Sequence, residues 1–221
     1  MKTINTIKGL LFSVIATFAL TTVLNAGVLN NVYLEASTSA IGVLADGSST
    51  DNQGAITTGA VGKTAVTASY GLGYMTNRDR KVGLDAGYMI TPGKAKISSV
   101  SDSPTASNVA LEIDKMTDYY IAPMINITED ASLYLKYGWN STDLTTTGDV
   151  NKINSMDGNT VALGTVMSWG SNLYIRTEAG RTEYDTLTFT GLGTAGGVLT
   201  TESVTVTPKV NYGKIAIGYK F

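Results

Sequence analysis

Eight stretches of this chain alternate apolar with small or polar residues at a period of two, each close to the length at which a tilted strand crosses a bilayer. Val32 to Ala40 places Val32, Leu34, Ala36 and Thr38 on one face, and Thr64 to Tyr74 places Val66, Ala68, Tyr70, Leu72 and Tyr74 there. Lys81 to Thr91 shows Val82, Leu84, Ala86, Tyr88 and Ile90; Met116 to Ile127 shows Tyr119, Ile121, Pro123, Ile125 and Ile127. Ala131 to Asn140 shows Leu133, Leu135, Tyr137 and Trp139, and Thr160 to Trp169 shows Val161, Leu163, Thr165, Met167 and Trp169. Asn172 to Glu183 shows Leu173, Ile175, Thr177 and Ala179, and Lys214 to Phe221 shows Ile215, Ile217, Tyr219 and Phe221. Successive strand side chains point to opposite faces, so each stretch carries one continuous apolar face. An antiparallel sheet that closes its last strand onto its first, with that face turned to lipid, accommodates all eight.

The connections support closure in a membrane. Thr76 to Arg80, Thr128 to Asp130 and Gly170 to Ser171 are tight and polar. Val43–Lys63, Pro92–Lys115, Ser141–Asn159 and Tyr184–Ser203 are long and rich in Gly, Ser, Thr and Asp. Short turns on one rim and long loops on the other characterise transmembrane barrels. Aromatics gather at the strand ends: Tyr74, Trp169, Tyr219 and Phe221 toward the short turns, and Tyr88, Tyr119, Tyr137 and Trp139 toward the long loops. Aliphatic residues such as Leu84, Ile121, Leu135, Leu163, Ile175 and Ile217 lie between, giving two interfacial girdles and an apolar belt. The competing reading is the packed inner face of a soluble sheet. The expected fold is all-β, an eight-stranded antiparallel up-and-down transmembrane β-barrel. Pro123 is a misfit, because it removes a ladder donor where no edge strand exists; a bulge or a misplaced strand boundary is expected there.

The N-terminus sets the compartment. Lys2 and Lys8 precede an uncharged apolar run from Gly9 to Leu24, and Leu24-Asn25-Ala26 precedes Gly27. That order of features describes a secretory leader, residues 1–26, cleaved after Ala26, with the barrel at 27–221. The formal net charge is −2, and −4 once Lys2 and Lys8 leave with the leader. No basic patch stands out, so nucleic acid is not an expected partner. The sequence has no Cys and no His, which removes thiolate and imidazole chemistry near neutral pH. No catalytic residue, metal site or cofactor is expected.

The face opposite the apolar one is small, polar and charged, and includes Tyr33, Glu35, Asp85, Tyr134, Lys136, Tyr174, Arg176, Glu178 and Lys214. Side chains fill the lumen of an eight-stranded barrel. Glu35, Asp85 and Glu178 should therefore pair with Lys136, Arg176 and Lys214, as a structural plug or as a gate over a narrow pore. Gly191-Leu192-Gly193-Thr194-Ala195-Gly196 matches the dinucleotide fingerprint but lacks the helix that receives the phosphates. Asp46 to Asn52 has the composition of a calcium loop without its ligand spacing.

The leader, the eight alternating strands, the loop asymmetry and the terminal Tyr219-Lys220-Phe221 resemble the small outer-membrane barrels: OmpX, the OmpA membrane domain and the opacity-type surface proteins. The resemblance covers Gly27 to Phe221 and implies a closed barrel in the bacterial outer membrane with mobile external loops. It also implies that Glu35, Lys136, Arg176 and Glu178 form a charged interior network. The expected role is structural or surface-interacting, carried by the long loops and without enzymatic activity. A narrow porin-like channel and a soluble periplasmic lipocalin-like carrier are the alternatives. Expected partners are outer-membrane lipid and lipopolysaccharide, the barrel-assembly machinery through the C-terminal strand, and an external ligand at the loops.

Overall fold

A computed structural model describes residues 31–50, 54, 56–76, 80–96, 110–147, 151–195 and 198–221. The leader expected at 1–26 lies outside these residues. The described chain forms β1 (Val32–Thr50), β2 (Ile56–Met75), β3 (Val82–Lys96), β4 (Ala110–Asn126), β5 (Ala131–Thr147), β6 (Ser155–Trp169), β7 (Leu173–Tyr184), β8 (Leu187–Ala195) and β9 (Val198–Lys220). All neighbours pair antiparallel, and β9 pairs with β1 from Tyr33↔Lys220 to Thr50↔Ser203, which closes the sheet.

Nine strands make eight staves, because β7 and β8 lie end to end along the same edge of β9. Their junction has a local cause. Between the pairs Glu183↔Lys209 and Leu187↔Val206, three residues on one side face two on the other, a bulge. The two are Thr207 and Pro208, and Pro208 has no N–H to donate to the ladder. Pro123 behaves differently from expectation. β4 runs through it without a register shift, and only the pairing to β5 lapses, between Ile121↔Tyr137 and Met124↔Tyr134. The bond that proline lacks is lost, and the strand continues.

The register fixes the barrel's size. Leu34 is followed across the staves by Leu72, Tyr88, Tyr119, Trp139, Asn159, Glu183 and Lys209, and the row returns to β1 at Leu44. This stagger of ten residues over eight staves tilts the strands by about 40° from the axis, so each residue climbs roughly 2.5 Å. A hydrocarbon layer of about 25 Å then takes roughly ten residues per strand.

The strands extend well past that length at the end away from the short turns. Much of the sequence expected as long loop is ladder, with β1 and β2 paired as far as Thr50↔Ile56 and β8 and β9 as far as Ala195↔Val198. The alternation escaped notice there because its sense reverses. On β1, Leu34 faces outward and is exposed while Glu35 is buried; further along, Ile41 and Val43 are the buried residues. On β9, Ile215, Ile217 and Tyr219 face outward, whereas Val210 points inward. Inside the bilayer the apolar face meets lipid. Above it the apolar residues turn inward to form an ordinary core, and the outward face is mostly polar, with Leu44 and Ile56 exposed.

The outward belt makes a direct prediction. Leu135→Arg, at an outward position of β5 that is 53% exposed, should destabilise the folded barrel in lipid by about 2–4 kcal/mol. Thr188→Arg, outward on β8 above the belt, should change stability by no more than about 0.5 kcal/mol. Reversible unfolding in phospholipid vesicles measures both.

Candidate functional site

Inside the belt the lumen is filled by seven charged side chains and a set of tyrosines. Arg176, on β7, is fully buried. Its Nη2 donates to Asp85 Oδ2 at 2.7 Å and its Nη1 to the Tyr120 hydroxyl at 2.8 Å. Its Nε lies 3.0 Å from Glu35 Oε2, a charge contact without hydrogen-bond alignment. The guanidinium carbon stands 5.3 to 6.0 Å from the ring centres of Tyr33, Tyr120, Tyr134 and Tyr174. Those faces stabilise a desolvated cation through the ring quadrupole.

A second centre surrounds Glu178. Tyr134 donates to its Oε2 at 2.6 Å and Tyr212 to its Oε1 at 2.7 Å, and Lys136 and Lys214 approach Oε1 at 3.4 and 3.3 Å. Lys136 also pairs with Asp118 at 2.5 Å, and Lys214 lies 3.6 Å from Glu35, which joins the two centres. The Tyr174 hydroxyl donates to Glu35 Oε2 at 3.0 Å and the Tyr33 hydroxyl to Asp85 Oδ1 at 2.9 Å. Charges removed from water persist only when paired and hydrogen-bonded, and the connected network supplies both.

Glycine makes room for the rings. Tyr174 pairs across the sheet with Gly218, and a Cβ at Gly218 would fall within the Tyr174 ring; Gly164 stands in the same relation to Tyr134. The tyrosines lie flat over their glycine partners and reach across to the carboxylates.

Above this plug the lumen changes character. A cavity of about 70 Å³ lies over Lys136, Asp118 and Glu178, walled by Ser39, Thr160 and Thr182 among others. Beyond it Ile41, Val43, Ile113, Leu144, Met156, Leu187, Phe189 and Val210 pack into the external core. The wall beside that core is interrupted. β2 and β3 pair only from Met75↔Asp85 to Tyr70↔Ile90, although β2 continues to Ile56 and β3 to Lys96. The Ser69 and Thr91 hydroxyls, 2.6 Å apart, are the next contact across the seam. A cavity of about 440 Å³ then opens between outward Val66 and Ala68 and inward Ile41, Ile113 and Met116.

Glu35, Asp85, Lys136, Arg176, Glu178 and Lys214 thus share one connected interior cluster. Sequence reading omitted Asp118, whose alternation with Tyr120 was visible, and it assigned no role to the tyrosine hydroxyls, because one strand does not reveal which ring crosses to which carboxylate. Tyr74, Tyr88, Tyr119, Tyr137, Trp139, Trp169, Tyr219 and Phe221 all lie on the outward face. Tyr88, Tyr119 and Trp139 form one register row, with the Tyr88 and Tyr119 rings 4.7 Å apart, and Tyr88 stands nearer the middle of the belt than its rim. Residues Gly191 to Ala195 belong to β8 and lead into no helix. Among the described residues no group of metal-ligating side chains gathers.

A closed antiparallel barrel with an apolar exterior and a charged interior is a transmembrane barrel of the bacterial outer-membrane type, since a water-soluble barrel has the opposite polarity. The exposed belt of Leu84, Leu135, Leu163 and Ile217 excludes the soluble carrier. Several solved outer-membrane structures are similar to this chain. The outer-membrane protein OprG of Pseudomonas aeruginosa superposes with a TM-score of 0.50 at 17% identity, over 86% of this chain and 96% of that one. AlkL, solved in lipid bilayers, gives 0.46 at 16% identity over 87% and 92%. Ail of Yersinia pestis, solved with the heparin analogue sucrose octasulfate, gives 0.44 at 15% identity over 85% and 99%. No protein-family model and no curated protein matches by sequence.

The network predicts a particular pattern of rescue. Arg176→Met leaves Asp85 buried without its cation and Glu35 with only Lys214, 3.6 Å away, and should cost about 3–5 kcal/mol. Adding Asp85→Asn and Glu35→Gln to Arg176→Met should restore much of that loss. Urea unfolding in detergent, followed by the heat-dependent gel shift of folded barrels, measures both; equal stability of the single and triple variants would contradict the assignment.

Proposed function

We propose that the protein is an outer-membrane barrel with a structural or surface-interaction role, exerted by the β-hairpins that rise above the membrane rather than by axial transport. The filled lumen carries this reading: the Arg176 and Glu178 centres occupy the cross-section, and the cavity above them is only about 70 Å³, room for a few waters. A porin-like path would have to break buried ion pairs. The role is non-enzymatic, which agrees with a chain that has no His and no Cys.

Residues 1–26 act as the export leader in this reading, and residues 27–221 form the barrel. The closing strand carries the assembly signal: Phe221 donates its N–H to Val32 O at 2.9 Å, and its ring packs edge-on against Tyr219 with centres 5.2 Å apart. The external acids Asp46, Asp143 and Asp157 engage lipopolysaccharide phosphates through divalent cations, and Asp46 also pairs with Lys209 at 3.2 Å. Asp51 and Asp149 lie outside the described residues. A ligand at the external hairpins completes the proposal.

Purified protein in planar bilayers should show no large, steady single-channel conductance. Steady conductance that is abolished by Lys136→Met or Arg176→Met would replace this reading with the porin. Separately, Phe221→Asp should lower the yield of heat-modifiable barrel in the outer-membrane fraction, and normal yield would remove the closing strand from assembly recognition.

A further inference from the structure

We propose that the opening between β2 and β3 is a lipid site, in which an acyl chain of the surrounding outer leaflet enters the barrel wall sideways and lies against the external apolar core, with Lys63 meeting its anionic headgroup. The proposal rests on the membrane placement argued above and is independent of any channel activity.

Position carries the first part. Met75 marks the short-turn end of β2, and Val66 and Ala68 stand nine and seven residues above it. At roughly 2.5 Å per residue they lie about 20 Å up, in the outer half of the hydrocarbon layer. Val66 is 77% exposed there, so the opening faces acyl chains rather than water. Lys63 lies three residues further up, about 30 Å from the short-turn end, at headgroup depth; it is exposed and lines the same cavity.

Shape and polarity carry the second. The cavity of about 440 Å³ passes through the wall from Val66 and Ala68 to Ile41, Ile113 and Met116. Ile41 and Ile113 belong to the external core, so the inner end is apolar. Below it the Ser69–Thr91 contact and the charged plug end the path. Above it the buried Leu144, Met156, Leu187 and Phe189 pack together. Among the described residues the opening therefore connects an apolar recess with the leaflet. Small side chains keep it open: Ala65, Ala68 and Gly93, the last at φ of 115° with no atom within 4 Å of where a Cβ would be. The chain that fits is apolar and unbranched, and Lys63, on the lumen face of β2 opposite Val43 yet exposed where it lines the cavity, favours a negative headgroup.

The test uses the unmodified barrel in nanodiscs containing phosphatidylglycerol with a diazirine on its acyl chain, irradiated and mapped by mass spectrometry. Adducts are expected on inward Ile41, Ile113 or Met116 as well as on outward residues such as Val66 and Leu135. Ala65→Phe, which fills the inner end of the opening opposite Ile41, should abolish the inward adducts and leave the outward ones. Lys63→Gln should lower the inward yield by about fivefold at limiting lipid, the change expected from one cation at an anionic surface. Circular dichroism and the heat-dependent gel shift establish that both variants fold. Adducts confined to outward residues, or inward adducts that survive Ala65→Phe, would overturn the lipid site. Absence of outward adducts would instead overturn the membrane placement.

Discussion

Backbone N–H and C=O groups that enter hydrocarbon need partners within the protein, and the pairing of β1 with β9 provides this along the seam where an open sheet would expose two edges; the short stretch where β2 and β3 part above Tyr70↔Ile90 is the exception. Closure at eight staves with a stagger of ten residues then sets the tilt, the length of each strand within the bilayer and the width of the lumen. The width allows side chains and little else. The burial of Arg176, the tyrosine cage and the glycines beneath the rings all follow from filling that space at ordinary packing density.

The barrel is two proteins in series with opposite polarity. Within the bilayer the outside is Leu, Ile, Val and aromatic, and the inside is ionic. Above it the inside is Ile41, Val43, Ile113, Leu144 and Val210, and the outside is Thr and charged residues such as Lys209 and Asp46. The same strands carry both parts without interruption, so the reversal takes place within single strands, between Ala40 and Ile41 on β1. The surrounding solvent dictates which face is apolar, and the fold is common to both. A barrel built this way presents a rigid β-structure to the outside, which suits contact with a surface or ligand better than a set of free loops would.

The wall is weakest where the two parts meet. Proline and small residues concentrate near that level: Pro208 opposite the β7–β8 junction, and Pro92 and Gly93 beside the β2–β3 opening. A ladder that loses donors or side-chain contacts at one height yields there first. The ionic plug directly beneath holds the staves together from within, linking β1, β3, β4, β5, β7 and β9 through Glu35, Asp85, Asp118, Lys136, Arg176, Glu178 and Lys214. The wall can therefore open on one side without loss of the barrel's cross-section.

The number of membrane strands, their apolar faces and the charged character of the lumen were legible in the sequence, because a period of two in a half-apolar segment is a local property of the chain. Glu35, Arg176 and Glu178 could be placed inside from parity alone. The outer halves of the strands were read as loops, because a rule that seeks a lipid-facing apolar side loses them once the apolar side turns inward. Register was beyond local reading as well: that Tyr174 lies over Gly218, that Tyr134 reaches Glu178, and that β2 and β3 part above Tyr70 are consequences of the stagger. Alternation along one strand determines which way a side chain points. Only the closed sheet decides which side chains of the other staves it meets, since that depends on how far each strand has slipped against the next.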